Sequence, residues 1–386
     1  MSRRALVLLA VLLGVTAEAR ANDWTTTMHG WAFLTANRQG GPSGDQDFES
    51  QNHLMVISSR PAGSWSMSLL GTFTAEPMTI PPQGSPLLFQ RGETYNDVLL
   101  VDRQHPHDLF VQLAAEWSRD LAKSGRLRLY AAPVGEPAVG PTAYVHRKSS
   151  SANPMAPLAH HNQDSTHISA DVLTGDYDFG PVRVEASLFH GKEPDENRWD
   201  IDQGKLDSYS GRLSFEPVRG LRVQVSAARR EEPEAIEEGN QTRQTASLEY
   251  ERSLSTGFIA ASLIAGRNLL EGGQVEWGNL LEGVWKFSGK DAVYGRAESV
   301  DRDLYELINK TARPDTVAPQ RVSVRTLTLG YLRDLPLFSE AATSLGAGVT
   351  LYRFDDRLDA TYGEEPVSAQ VFLKLEFGTK GAAHHH

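Results

Sequence analysis

The sequence predicts an all-β protein: a transmembrane, antiparallel, up-and-down β-barrel of about sixteen strands, with two long extracellular loops able to fold inward. Three observations support this prediction. The chain begins with an export leader, apolar and polar residues alternate over runs of roughly 10–14 residues, and the connections between runs are short and long in turn. Tight turns on one rim and long loops on the other are typical of bacterial outer-membrane barrels.

Residues 1–21 are predicted to form a secretory signal peptide. Arg3 and Arg4 give it a positive start, residues 5–15 are apolar, and Ala19-Arg20-Ala21 has the form of a cleavage site. The apolar stretch is too short for a membrane-spanning helix. The predicted organisation is therefore a signal peptide (1–21), a barrel (22–377) and a C-terminal tail (378–386).

The alternation locates sixteen strands. They are residues 24–36, 51–60, 64–77, 108–120, 126–134, 165–176, 181–191, 207–216, 220–231, 241–254, 256–267, 275–288, 291–303, 320–334, 342–354 and 367–377. In the seventh strand, for example, Val182, Val184 and Leu188 oppose Arg183 and Glu185. We expect the apolar faces to contact lipid and the polar faces to line water. The alternation is weak in the first, second, eleventh and fourteenth strands, so their faces are not assigned.

Composition excludes several classes of function. The chain has no cysteine, which excludes disulfides, thiolate metal sites and a cysteine nucleophile. Its formal charge of −11 makes nucleic acid an unfavourable partner. No stretch after the leader approaches the length of apolar sequence that a spanning helix needs.

The final strand ends in an aromatic residue, Phe377, and an even strand number places both termini in the periplasm. With these features residues 22–377 resemble Gram-negative outer-membrane porins in general plan. The resemblance implies the bacterial outer membrane as location, outer-membrane lipid as a partner, and a long loop that folds into the barrel and narrows the pore. It is compatible with a homotrimer. The residues after Phe377, which end in three histidines, depart from the usual pattern.

Two long connections, residues 78–107 and 135–164, are unusually rich in histidine. Six of the nine histidines outside the tail fall between residues 105 and 167. Imidazole and carboxylate groups suit a divalent transition metal such as Zn or Cu. The candidate ligands are His105, His107, Asp108, His160, His161, Asp164 and His167. No established metal-binding spacing occurs, so the sequence favours structural histidines, or histidines that line a constriction, over a metal site.

Charged residues on the predicted polar faces and in the long loops are candidates for lining a pore. They are Glu136, His146, Arg147, Arg183, Glu185, Arg212, Arg222 and Glu298. Fixed rows of opposite charge select solutes by charge and size. A barrel of about sixteen strands leaves an aqueous channel, so we expect passive diffusion of small hydrophilic solutes or ions and no enzymatic activity.

Two alternatives keep the barrel and change its function. In the first, the histidine loops form a transition-metal site for metal passage or capture. In the second, Ser165, His167 and either Asp108 or Asp164 form a hydrolase triad, although the G-x-S-x-G motif is absent from the sequence.

Overall fold

Sixteen long antiparallel strands form one closed barrel in the computed structural model, which describes residues 20–21, 24–121, 125–235, 239–339 and 341–378. The strands are β1 (Trp24–Arg38), β2 (Asn52–Ala62), β3 (Trp65–Phe73), β4 (Phe110–Asp120), β5 (Arg126–Gly135), β6 (Ser169–Phe179), β7 (Val182–Phe189), β8 (Ser208–Val218), β9 (Leu221–Arg230), β10 (Gln241–Leu254), β11 (Gly257–Leu270), β12 (Val275–Lys286), β13 (Asp291–Asp303), β14 (Arg321–Leu335), β15 (Ala342–Arg353) and β16 (Val367–Gly378).

Each strand pairs with its neighbours in the chain, and β1 closes the ring by pairing with β16, with Gly30 opposite Phe377. The predicted fold class and all sixteen predicted strands are confirmed. The largest differences are at two strand ends beside long loops. The third strand ends at Phe73 rather than residue 77, because the chain turns into a loop at Thr74, and the sixth begins at Ser169, because Ser165–His167 form a 3₁₀ turn.

Shorter elements lie in the connections. Arg20–Ala21 and Gln46–Glu49 are short strands beside β1. The long connection between β3 and β4 carries a hairpin of Ser85–Tyr95 and Val98–Gln104 (below, the mouth hairpin). The helices are α1 (Glu76–Thr79), α2 (His160–Gln163), α3 (Leu304–Asn309) and α4 (Asp359–Tyr362). The 3₁₀ turns are Lys148–Ser150, Ser165–His167 and Asp356–Leu358. Among the described residues, no helix has the length and apolar character required to cross a membrane. Most of the predicted leader, and the tail from residue 379, lie outside the described residues.

The barrel wall has an apolar outside and a polar inside, as the alternation predicts. On β7 the outward Val184 and Leu188 are 46% and 50% exposed, whereas the inward Glu185 and Ser187 are 6% and 4% exposed. Exposed aliphatic side chains on every second position are stable in lipid rather than in water.

Part of the barrel interior is nevertheless hydrophobic. Side chains from the inner faces of β11–β14 form one buried cluster with side chains of the mouth hairpin, α3 and residues 155–159. Val322 and Val324 on β14 and Ile264 on β11 belong to it, and each is at most 4% exposed. This cluster explains why the eleventh and fourteenth strands alternate weakly: their inner faces contact packed loops instead of water.

Candidate functional site

The connection between β5 and β6, residues 136–168, runs along the inner wall of the barrel (below, the plug loop). Its backbone N–H groups at Ala138, Gly140, Thr142 and Ala159 donate to side chains of Ser187, Ser226, Glu249 and Glu298, at 2.7, 2.8, 3.3 and 3.0 Å respectively. These acceptors lie on β7, β9, β10 and β13. The plug loop therefore lies inside the barrel and bonds to the inner face of the wall from β7 to β13.

Two glycines let the plug loop approach the wall closely. A Cβ atom at Gly266 would lie 2.2 Å from the carbonyl oxygen of Asn162, and one at Gly278 would lie 2.7 Å from Asn162 Cβ. Gln163 completes the contact by donating to the carbonyl oxygen of Gly278 at 3.0 Å. Only a residue without a side chain fits at these two wall positions.

A buried charge network fixes the middle of the plug loop. Arg147 Nε donates to Glu282 at 2.7 Å, and Arg296 Nε donates to the other oxygen of Glu282 at 2.9 Å. Arg147 also pairs with Asp164 at 3.0 Å. All of these side chains are almost completely buried, so each charge depends on its partners.

The mouth hairpin covers the long-loop end of the lumen. The Phe89 ring stacks on the Tyr362 ring of α4, with 4.1 Å between centroids, and its carbonyl oxygen accepts from Arg302 Nε at 2.7 Å. Arg91 pairs with Glu306 of α3 at 2.7 Å. The two inward segments and the wall together fill this part of the barrel.

A cavity of about 610 Å³ remains on the other side of the lumen, bordered by the β6–β7 turn at Gly180 and the β8–β9 turn at Arg219. Six of the eight predicted pore-lining residues border it: Glu136, His146, Arg183, Glu185, Arg212 and Arg222. Arg147 borders an adjacent cavity of about 210 Å³. Glu298 lies instead under the plug loop, at a void of about 20 Å³.

Opposite charges are paired along the wall of the large cavity. Arg212 makes a bidentate pair with Glu185, at 2.7 and 2.8 Å, and lies 3.9 Å from Glu136. Arg183 pairs with Asp178 at 2.7 Å. Burial raises the pKa of Glu136 to about 7, although Arg212 opposes this effect. The cavity therefore carries a pH-sensitive carboxyl group beside a row of arginines.

The seven predicted metal ligands lie together in one buried cluster, which joins the two long loops. Three of them, His107, His160 and His167, place a ligand nitrogen each within 4.8 Å of one another. The ring centroids of His107 and His160 both lie 5.1 Å from that of His167. All three side chains are at most 5% exposed.

The Nδ1 atom of each of these three rings is already hydrogen-bonded. His107 Nδ1 lies 2.8 Å from Glu76 Oε2, and His160 Nδ1 lies 2.7 Å from Asp164 Oδ1. His167 Nδ1 lies 2.8 Å from the carbonyl oxygen of Asp164. In each ring the oxygen partner accepts from Nδ1–H, so Nε2 is the nitrogen that could hold a metal ion.

The other four predicted ligands surround this group and have other partners. Asp108 pairs with Arg198 at 3.1 Å, and Asp164 pairs with Arg147 as described above. His105 Nε2 lies 3.0 Å from Glu93. His161 stacks edge-on against His105 and His160, with centroids 5.7 and 5.2 Å away.

Burial keeps most of these imidazoles neutral. It lowers the pKa of His161 to about 3 and holds the pKa values of His105 and His167 well below the ordinary value. For His107 the effect of burial is outweighed by the Glu76 carboxylate, so its pKa is raised. A neutral imidazole is the form that binds metal.

Sequence reasoning missed four residues that contact the cluster: Glu76, Glu93, Tyr144 and Arg198. Tyr144 Oη lies 3.4 Å from His107 Nε2, and its ring is 5.0 Å from that of His160. Glu76 precedes the connection 78–107 and Arg198 lies between β7 and β8, so no spacing in the sequence connects them to the histidines.

The proposed hydrolase triad is not assembled. Ser165 Oγ donates to Glu193 at 3.1 Å and accepts from Arg243 at 2.8 Å. The hydroxyl is thus engaged by a carboxylate and a guanidinium rather than by an imidazole acting as a base.

The fold is that of outer-membrane β-barrels. The chain superposes on the OmpT outer-membrane protein of Vibrio cholerae with a TM-score of 0.54 and 9% identity, covering 94% of this chain and all of that one. An anion-selective porin from Comamonas acidovorans gives a TM-score of 0.55 at 12% identity, with 92% and 100% coverage. The outer-membrane channel DcaP of Acinetobacter baumannii gives 0.51 at 10%, with 94% and 100% coverage. No family model and no curated protein sequence matches the chain.

Proposed function

We propose that this protein is a bacterial outer-membrane channel that passes small hydrophilic solutes or ions by diffusion, with the plug loop narrowing its lumen. The observation that carries the proposal is the charged cavity of about 610 Å³ that reaches from the short turns at Gly180 and Arg219 to Pro141 and Thr142 of the plug loop. A lumen lined by fixed charges holds water and ions. Two of the similar solved structures are described as a porin and as an outer-membrane channel, which agrees with this proposal.

The path for a solute lies beside the packed loops. The mouth hairpin and the hydrophobic cluster occupy the side of β11–β14, so passage follows the polar side chains of β4–β9. The arginines there are paired with carboxylates, and selectivity depends on the balance of the two. We expect a small conductance with a charge preference that single substitutions change.

The test is conductance of the purified protein in planar bilayers, with the reversal potential measured in a salt gradient. Arg183→Glu and Arg222→Glu each replace a positive charge at the cavity and should shift the reversal potential toward cations. Arg353→Glu, at the end of β15 and outside the cavity, is the matched control and should change it least.

Two results would contradict the proposal. One is a folded, inserted barrel that conducts no ions even after the mouth hairpin is deleted. The other is a conductance whose selectivity is the same in Arg183→Glu, Arg222→Glu and the control.

A further inference from the structure

We propose that His107, His160 and His167 bind one divalent transition-metal ion through their Nε2 atoms. This goes beyond the channel function and does not depend on it. Three imidazoles from two separate loops converge, with their ligand nitrogens within 4.8 Å of one another. Imidazole is a preferred ligand of Zn, Cu, Ni and Fe, and three histidines plus an open position are a common arrangement for zinc.

The surroundings orient the three rings as metal-binding sites orient theirs. Glu76 and Asp164 each accept from one Nδ1–H, at 2.8 and 2.7 Å, and the Asp164 carbonyl accepts from the third at 2.8 Å. A carboxylate or carbonyl oxygen bonded to Nδ1 fixes the tautomer of the ring and makes Nε2 more basic. Structural histidines need one such bond each, but they do not need their other nitrogens to converge.

The centre has room for a single small ion. A void of about 10 Å³, the size of about one water molecule, is bordered by all three histidines. His167 Nε2 is buried and has no hydrogen-bond partner among the described residues. A tetrahedral ion holds nitrogen ligands roughly 3.3 Å apart, so binding requires the rings to move inward by a small amount.

The charge around the centre favours a cation. Glu76 is 4% exposed, and the ion pair that it makes within the described part of the chain is with His107. A divalent ion on Nε2 of His107 places a positive charge on the far side of the ring from this buried carboxylate. Tyr144 Oη, 3.4 Å from His107 Nε2, lies where it can hydrogen-bond a water in the fourth position.

The route to the centre is from the short-turn end. Glu76 and Tyr144, which both contact His107, also border the cavity of about 210 Å³. This cavity is bordered as well by Gly220, in the turn between β8 and β9. An ion that enters from this rim reaches the histidines past these two side chains.

The experiment measures metal binding by the purified, chelator-stripped protein in detergent. His384, His385 and His386 are replaced by alanine in every variant, because the tail lies outside the described residues and can bind metal by itself. Zn²⁺ binding is followed by calorimetry and by metal content, and Co²⁺ binding by visible absorption, which reports coordination number. We expect one ion per chain and a Co²⁺ spectrum of a four-coordinate site with three nitrogen ligands.

A set of variants distinguishes the proposed metal ligands from residues that only orient them or lie elsewhere. His160→Gln and His167→Gln should each weaken binding at least 100-fold, and Glu76→Gln should weaken it about 10–100-fold because the ring of His107 loses its orientation. His190→Gln, whose Nδ1 bonds Asp207 at 3.0 Å away from the cluster, is the matched control and should bind normally. A further variant replaces Asp195, Asp200 and Asp202, an exposed acidic group, and should also bind normally.

The proposal is overturned if the parent protein takes up no ion, or if its Co²⁺ spectrum is that of an octahedral site of oxygen ligands. It is also overturned if binding survives in His167→Gln or disappears with the acidic group. The parent spectrum and Glu76→Gln keep the test valid where a histidine variant does not fold.

Discussion

On the side of β11–β14 the lumen is filled with packed side chains, whereas on the side of β4–β9 it holds a charged cavity of about 610 Å³. Both sides belong to one barrel with the same strand geometry and the same lipid-facing outside. The difference follows from what the inner face contacts: Val322 and Val324 pack against loops, and Arg183 and Glu185 border the cavity. An apolar inner face therefore marks where a loop is packed into a barrel.

The largest expected effect comes from breaking the charge network that holds the plug loop. Glu282→Ala leaves Arg147 and Arg296 buried without their shared carboxylate and should lower the free energy of unfolding by about 3–5 kcal/mol. Urea unfolding in detergent measures it. Asp120→Ala, which breaks an exposed pair with Arg126, should give no measurable change; equal effects would show that the network is not buried.

Two neighbouring leucines on β12 allow the inner and outer faces of the barrel wall to be compared. Leu280 is 1% exposed in the filled half, and Leu281 is 55% exposed toward lipid. Leu280→Ala should cost about 2–5 kcal/mol because it leaves a cavity, and Leu281→Ala should cost clearly less. Urea unfolding in detergent measures both losses. A larger loss of unfolding free energy for Leu281→Ala would mean that Leu281, and not Leu280, faces the barrel interior.

A side chain added where the plug loop contacts the barrel wall should push the loop away from the wall and widen the lumen. Gly278→Val places a side chain against Asn162, and we expect a destabilisation of about 1–3 kcal/mol together with a higher bilayer conductance. Gly175→Val on β6, where a Cβ meets nothing within 4 Å, is the control. Unchanged conductance in Gly278→Val would mean that the plug loop does not limit passage.

The smallest expected effect is a pH dependence of ion selectivity in the charged cavity on the side of β4–β9. The pKa of Glu136 is raised to about 7, so this carboxyl group is neutral below that pH and ionised above it. Raising the pH through 7 therefore adds a negative charge to the cavity, and the reversal potential should move toward cations. Glu136→Gln should reduce this shift of the reversal potential, and an undiminished shift would assign it to another group.

The sequence was sufficient to predict the strands of the barrel, but not how the loops pack inside it. Period-two alternation, short turns and an even strand count depend on local geometry, so all sixteen strands could be predicted. The histidine cluster could be anticipated as a set of ligands, because His105, His107, His160, His161 and His167 are dense in two loops. Which three converge depends on how two loops pack against each other, and this information is not local.

Two of the predicted pore-lining residues show the same limit. Arg147 borders the smaller cavity while it pairs with Glu282, and Glu298 lies under the plug loop, where it accepts from the Ala159 N–H. Glu76 bonds His107 at a sequence separation of 31, and Arg198 bonds Asp108, beside that histidine, at a separation of 90. Such contacts arise only after both loops enter the barrel.

A cysteine cross-link tests most directly whether the plug loop lies inside the barrel against β11. The hydroxyls of Ser149 and Ser262 are 2.7 Å apart, and the chain has no cysteine of its own. The double variant Ser149→Cys/Ser262→Cys should form a disulfide on oxidation of the folded protein and lose both free thiols, whereas Ser149→Cys/Ser226→Cys should not. If the first pair stays reduced and both thiols react with a water-soluble maleimide, the plug loop is not packed in the lumen and this account is contradicted.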